Sequence, residues 1–211
     1  MAILRLKLVE RLLLVIGLVC LGYYGYVSAE SALYQAYETR ELDAILASAS
    51  TDRAAATTVW VSPPSAAKPT PAPAPRPRPE TGTALGRLEI PRLGVSAIVR
   101  AGSDARTLRL AVGHIHGTAL PGERGNIGLA AHRDTFFRRL GEIRQNDLVR
   151  LVTREGTFTY TVHATGIVEP RDTWVLSQTG DSALTLVTCY PFRYVGAAPQ
   201  RFIVRAALAA G

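Results

Sequence analysis

Apolar and polar positions along this chain change rhythm three times. From Leu12 to Ala29 (LLLVIGLVCLGYYGYVSA) no charge interrupts an apolar run. Eighteen residues at 1.5 Å each reach about 27 Å, close to the hydrocarbon thickness of a bilayer, so a membrane-spanning helix is predicted. Residues 30–48 are rich in Ala, Leu and Glu and lack Gly and Pro, and Tyr34, Tyr37, Leu42, Ile45 and Leu46 make a one-sided stripe. That pattern predicts a helical stalk continuing the anchor. Residues 49–82 shift to Ser, Thr, Ala and Pro, with PAPAPRPRP at 71–79, which predicts an extended polyproline-type linker. From 83 to 211 short alternating or β-branched runs are punctuated by Gly, Pro, Asn and Asp. Strands are expected at 85–93, 96–100, 126–131, 147–153, 158–168, 184–188 and 201–207, with short helices at 104–110 and 135–140. The spacing suits a small antiparallel barrel or sandwich.

The flanks of the apolar run set its direction. Arg5, Lys7 and Arg11 stand against Glu10 in the stub at 1–11, whereas Glu30, Glu38, Glu41 and Asp43 follow the run with only Arg40. The positive-inside rule then leaves the N-terminus cytoplasmic and puts everything after residue 29 outside, a single-pass protein of the cell membrane with membrane lipid as a partner through residues 12–29. Tyr23, Tyr24 and Tyr26 cluster at the outer end, as interfacial aromatic belts do. A cleaved signal peptide is the alternative, because Val27-Ser28-Ala29 has the small residues of a cleavage site. Both readings export residues 83–211.

Composition adds less. The chain has 211 residues, 47% apolar and 19% charged, with a net charge of +7. The arginines are scattered rather than gathered into a basic run or a stripe interleaved with aromatics, so no nucleic-acid partner is expected. Cys20 lies in the apolar run and Cys189 far away in the folded domain, so the two are not expected to pair. An unpaired thiol on an exported domain calls for an explanation.

Cys189 ends the alternating run Ala183-Leu184-Thr185-Leu186-Val187-Thr188, just before Pro191 stops the strand. A side chain there is held rigidly and still meets solvent. The competing reading is a buried cysteine that fills a core gap. A thiol nucleophile needs a base or cation to populate the thiolate, and a donor for the oxyanion it creates. Of the histidines, His132 follows Asn126–Ala131, another run that ends at a turn, and Arg201 opens the last strand. Read singly, His132 is also an ordinary turn histidine and Arg201 one more surface arginine. His114 and His116, with His132, raise the alternative of a metal site, but that needs neutral imidazoles in a preformed cage, usually with a carboxylate or thiolate, and no paired acidic cluster stands out, so no metal and no cofactor are expected.

Several segments in order resemble the sortase family. Thr185-Leu186-Val187-Thr188-Cys189 looks like the TLxTC signature, and Ala130-Ala131-His132-Arg133-Asp134-Thr135-Phe136-Phe137 is similar to the segment around the sortase histidine. Gly117-Thr118-Ala119-Leu120-Pro121-Gly122 resembles the preceding loop, and Pro199-Gln200-Arg201-Phe202 the arginine segment. The likeness runs over about 84–207 and is nearest the class D group, a placement that Cys189-Tyr190-Pro191-Phe192 supports. It implies a mainly β fold, a closed eight-stranded barrel, and cysteine transpeptidation on an LPxTG-like motif cleaved between Thr and Gly. Cys189 would carry the thioacyl group, His132 would protonate the leaving amine, and Arg201 would stabilise the oxyanion. Ala130, Ala131, Val187 and Thr188 would line the substrate groove. The implied partners are surface proteins with a C-terminal sorting motif and an amine acceptor such as a cell-wall peptide or a pilin lysine. The chain departs from the family at His116, where proline is expected, and at Ala131, where glycine is common. The alternatives are a cysteine hydrolase, against which the His-before-Cys order argues, and an exported adaptor indifferent to Cys189→Ala.

Overall fold

The computed structural model describes residues 2–56 and 77–209. A single helix, α1 (Ala2–Ala56), runs through the stub, the apolar run and the stalk and into the first residues of the segment expected to be linker. The rest of that segment up to residue 76, with most of the proline run, lies outside the described residues. Among the described residues, α1 is long and apolar enough to cross a membrane, and its large apolar side chains from Leu12 to Leu21 are exposed.

The strands are β1 (Ala84–Ile90), β2 (Val95–Ala101), β3 (Val112–His114), β4 (Asn126–Ala130), β5 (Leu148–Thr153), β6 (Gly156–Val168), β7 (Ala183–Tyr190) and β8 (Gln200–Leu208). They close an eight-stranded barrel in the order β1-β2-β3-β4-β7-β8-β6-β5. A short helix, α2 (Ala105–Leu110), joins β2 to β3. Asp104 caps α2, its carboxylate accepting from the Arg106 and Thr107 amides, as Asp does at N-termini.

The expected antiparallel pattern gives way at two seams, β2/β3 and β4/β7, which run parallel. Parallel neighbours need a crossover. The α2 segment supplies the first, and the whole β5–β6 excursion supplies the second. β3 has no counterpart in the sequence reading, because three residues are too few to show a period of two. The helix expected at 135–140 is instead a string of turns leading into a 3-10 helix at Leu140–Glu142. There the Phe137 amide donates to the His132 carbonyl and the Arg138 amide to that of Thr135.

Alternation builds the core. Leu88 and Ile90 on β1, Ile127 and Leu129 on β4, Leu184 and Leu186 on β7, and Val204 on β8 are all fully buried. Ile127 pairs with Leu184 and Leu129 with Leu186 across the β4/β7 seam, so β4 turns its odd-numbered and β7 its even-numbered residues inward. Residues of the other parity, including Ala130, Thr185, Val187 and Cys189, fall on the outer face. Gly86 sits at a bulge with φ +154, where a Cβ would run into the Val152 carbonyl.

The stalk does not stand clear of the barrel. Gln35 donates to the Leu110 carbonyl of α2 (2.7 Å) and accepts from the Ile98 amide of β2 (2.8 Å), satisfying one backbone group on each. Asp43 pairs with Arg87 at 2.8 Å, Glu41 with Arg154 at 3.4 Å, and Arg100 lies 4.8 Å over the Tyr34 ring. Leu42 is buried in the seam.

Candidate active site

Two ladders bring the three candidate residues to one end of the barrel. On the antiparallel β7/β8 seam Cys189 is directly opposite Arg201, so both side chains leave the same face of the sheet. On the parallel β4/β7 seam Ala130 is level with Val187, and the Ala131 amide continues the ladder by donating to the Val187 carbonyl at 3.2 Å. His132 follows two residues after Ala130, as Cys189 follows two residues after Val187, so both stand at the same end of the β4/β7 seam. His132 is exposed, and Cys189, a free thiol, is half-buried. The core-cysteine reading fails here, because Cys189 has the parity opposite to Leu184 and Leu186.

The surrounding hydrogen bonds hold these strand ends. Thr188 donates from Oγ1 to the Ala131 carbonyl at 2.8 Å, tying β7 to the chain immediately before His132. Arg133 reaches across to the loop after β7, donating to the carbonyls of Pro191 (2.8 Å), Tyr194 (2.7 Å) and Gly196 (3.2 Å). Phe192 packs edge-on to Phe202, centroids 5.3 Å apart, and a Cβ on Gly141 would come within 2.9 Å of the Phe192 ring. The loops carrying His132 and following Cys189 are thus clamped by a guanidinium and an aromatic contact. Arg201 directs Nη1 to the carbonyls of Gln200 (2.9 Å) and Ala198 (3.3 Å) at the start of its own strand.

Of the four expected groove residues, Ala130 and Val187 are half-buried on the outer face, whereas Ala131 and Thr188 are buried and belong to the framework behind it. A cavity of about 540 Å³ opens beside His132, lined also by Asp134 and Thr135, by Ala105 and Arg109 of α2, and by Tyr24, Val27, Ser28 and Ser31 of α1.

His114 and His116 do not join this site. The His114 ring is buried, with Nε2 2.8 Å from the Ala119 carbonyl and 3.1 Å from the Thr118 hydroxyl, and burial lowers its pKa below the usual 6.5. His116 and His163 are exposed elsewhere.

A family model described as Sortase domain matches residues 88–209, more than half of the chain. The chain belongs to the sortase family. Over 126 residues it is 45% identical to Sortase D of Bacillus subtilis (strain 168), an alignment covering 59% of this chain and 64% of that protein. Sortase A of Listeria monocytogenes serovar 1/2a is 27% identical over 109 residues, 50% of this chain and 49% of that one. The chain thus spans less than two thirds of the length of these curated relatives. Among solved structures it resembles a Clostridium perfringens Sortase D5 transpeptidase with a TM-score of 0.58 and 29% identity, over 62% of this chain and 82% of that one. It also resembles Clostridium perfringens sortase C solved with the C-terminal cell wall sorting motif, with a TM-score of 0.57 and 28% identity, over 62% and 73% of the two chains.

Within this sortase barrel, sequence reasoning missed the residues that aim the outer wall. Asn126, fully buried, donates from Nδ2 to the Val175 (3.1 Å) and Ser177 (3.3 Å) carbonyls and accepts from Thr185 Oγ1 at 2.8 Å. It fastens the segment at 173–178 over the β4/β7 seam on the outer face. A polar residue opening an apolar strand was the available signal.

Proposed function

We propose that the chain is a membrane-anchored cysteine transpeptidase of the class D-like sortase type. The thiolate of Cys189 attacks the Thr carbonyl of an LPxTG-like motif, and the tetrahedral oxyanion is met by the Arg201 guanidinium. Collapse breaks the Thr–Gly bond. His132, as imidazolium, gives its proton to the departing glycine amine, leaving a thioester on Cys189 and a neutral imidazole. An amine acceptor then attacks the thioester and yields its proton to His132, which restores thiolate and imidazolium. Arg suits the oxyanion role because it stays charged through both half-reactions.

The observation that supports this reading is the register: Cys189 opposite Arg201, with β4 ending level with Val187 two residues before His132. The half-buried outer positions Ala130 and Val187 would floor the peptide groove, with Ala131 and Thr188 positioning it from behind. Anchoring through residues 12–29, with the N-terminus cytoplasmic and the barrel outside, would place the site among surface proteins that carry sorting motifs and among cell-wall peptide or pilin amines.

The test is ligation of a sorting peptide to a small amine by the full chain, with mass spectrometry of the trapped intermediate. The expected result is a peptide-mass adduct on Cys189 that disappears in Cys189→Ala. Ligation persisting in Cys189→Ala or Arg201→Ala would overturn the mechanism, and an unligated, unmodified peptide would favour the adaptor.

A further inference from the structure

The way α1 docks sets where the reacting end of the barrel sits. Tyr24, Val27, Ser28, Ser31, Gln35 and Leu42 recur at helical spacing and share one face of α1, the face toward the barrel. The first four line the cavity that also holds His132, Asp134 and Thr135. Glu30, the first residue past the predicted span, pairs with Arg109 of α2 at 3.3 Å. The far side of the barrel is tied higher up, where Glu41 meets Arg154 in the β5–β6 turn. Thirteen residues separate Ser28 from Glu41, about 20 Å along a straight helix. The His132 loop is therefore level with Tyr23, Tyr24 and Tyr26, the aromatic belt that marks the headgroup layer, and the β5–β6 turn stands well above it.

The loops around this end are also basic. A second cavity, of about 440 Å³, shares Asp134 with the first and is lined by Arg133, Arg138, Arg139 and Arg193 with Phe192 and Glu142, four guanidiniums against two carboxylates. Arg138, Arg139 and Arg193 are exposed, and so is Arg106 on α2.

From this placement we propose that the His132 end of the barrel rests on the outer face of the bilayer, its arginine rim on anionic phosphate headgroups, with α1 fixing the angle. The proposal rests on reading residues 12–29 as a membrane span and on His132 marking the reacting end. Peptide and amine would then reach Cys189 along the lipid surface, where a membrane-held substrate already lies. Each arginine at such a surface adds about fivefold to the contact.

Depth-dependent quenching tests this on the full chain. With Cys20→Ser and Cys189→Ala as background, a single fluorophore is attached at Thr135→Cys or at Thr157→Cys near the β5–β6 turn, in vesicles carrying a headgroup quencher. In phosphatidylglycerol vesicles the label at 135 is expected to be quenched severalfold more than that at 157. Gln35→Ala with Asp43→Ala is expected to remove the difference. Arg138→Gln, Arg139→Gln and Arg193→Gln together, or phosphatidylcholine in place of phosphatidylglycerol, are expected to reduce it. Equal, weak quenching at both positions overturns the apposition, and quenching at 135 that ignores both lipid charge and arginine content overturns the anionic contact. Thermal unfolding of each variant separates misfolding from undocking. Because the background lacks the thiol, failure of the transpeptidase reading leaves this measurement intact.

Discussion

Two walls of the barrel are positioned by different means. The β4–β7–β8 wall carries Cys189, Arg201 and the strand end that precedes His132 to one end through main-chain ladders. The β1–β2 wall, with α2 and the β5–β6 turn beside it, meets α1 through a handful of side chains: Gln35, Tyr34, Asp43 and Glu41. A ladder spreads its restraint over many backbone bonds, so no single side chain behind the candidate residues is indispensable to their register. A side-chain dock concentrates it, so one substitution can loosen the joint. Geometry that must hold to a fraction of an ångström is thus built from backbone, and orientation toward a surface from side chains.

The largest effect that would sharpen this contrast is loss of chemistry without loss of structure. Cys189→Ala is expected to lower peptide ligation at least about a thousandfold while unfolding stays within about 0.5 kcal/mol of the parent, read by a ligation assay and thermal melting. Next, Arg201→Ala is expected to lower the ligation rate constant about a hundredfold or more, with Arg201→Lys restoring only part because a single ammonium lacks the guanidinium's fork. Retained kcat with a raised KM would instead make Arg201 a binding residue.

A smaller effect comes from packing behind the ladders. Leu186, fully buried opposite Leu129, is expected to cost about 3 kcal/mol on replacement by Ala, read by denaturant unfolding. The dock should respond differently. Gln35→Ala leaves the Ile98 amide and the Leu110 carbonyl without their partner, worth about 1–3 kcal/mol of local opening. Hydrogen exchange at the Ile98 amide should rise while ligation of a soluble peptide holds; a matching loss of ligation would show that the two walls are not independent.

The smallest effect is a pH dependence. Burial favours the neutral imidazole of His114, so its folded pKa is below the unfolded value of about 6.5. Between those two values the unfolded chain holds more protons, so stability falls as pH drops through that window and is full above about 6.5. The slope is at most about 1.4 kcal/mol per pH unit, and His114→Gln should flatten it in melting curves between pH 7 and 5.

How much of this was legible in the sequence differs between the walls. The seven strand runs and the short helix at 104–110 followed from local pattern, and the proposed trio Cys189, His132 and Arg201 rests on strand ends and family likeness. The stripe expected on the stalk was half right: Leu42 is buried, but Tyr37 is 67% exposed, and the residue that docks α1 most directly is the polar Gln35. A hydrophobic stripe cannot reveal a helix that docks by offering an amide to stranded backbone groups.

By itself, then, the sequence determined the apolar run, the alternation that makes strands, and a thiol at a strand end, because each depends only on neighbours a few residues apart. It could not determine that β4 and β7 run parallel, that Cys189 faces Arg201 rather than the core, or that α1 brings Tyr24 and Ser28 beside His132. Those are pairings between segments distant along the chain. A period of two is the same whichever strand lies alongside and in whichever direction, so register and neighbour are decided only when the closed barrel buries one parity and leaves the other to the site.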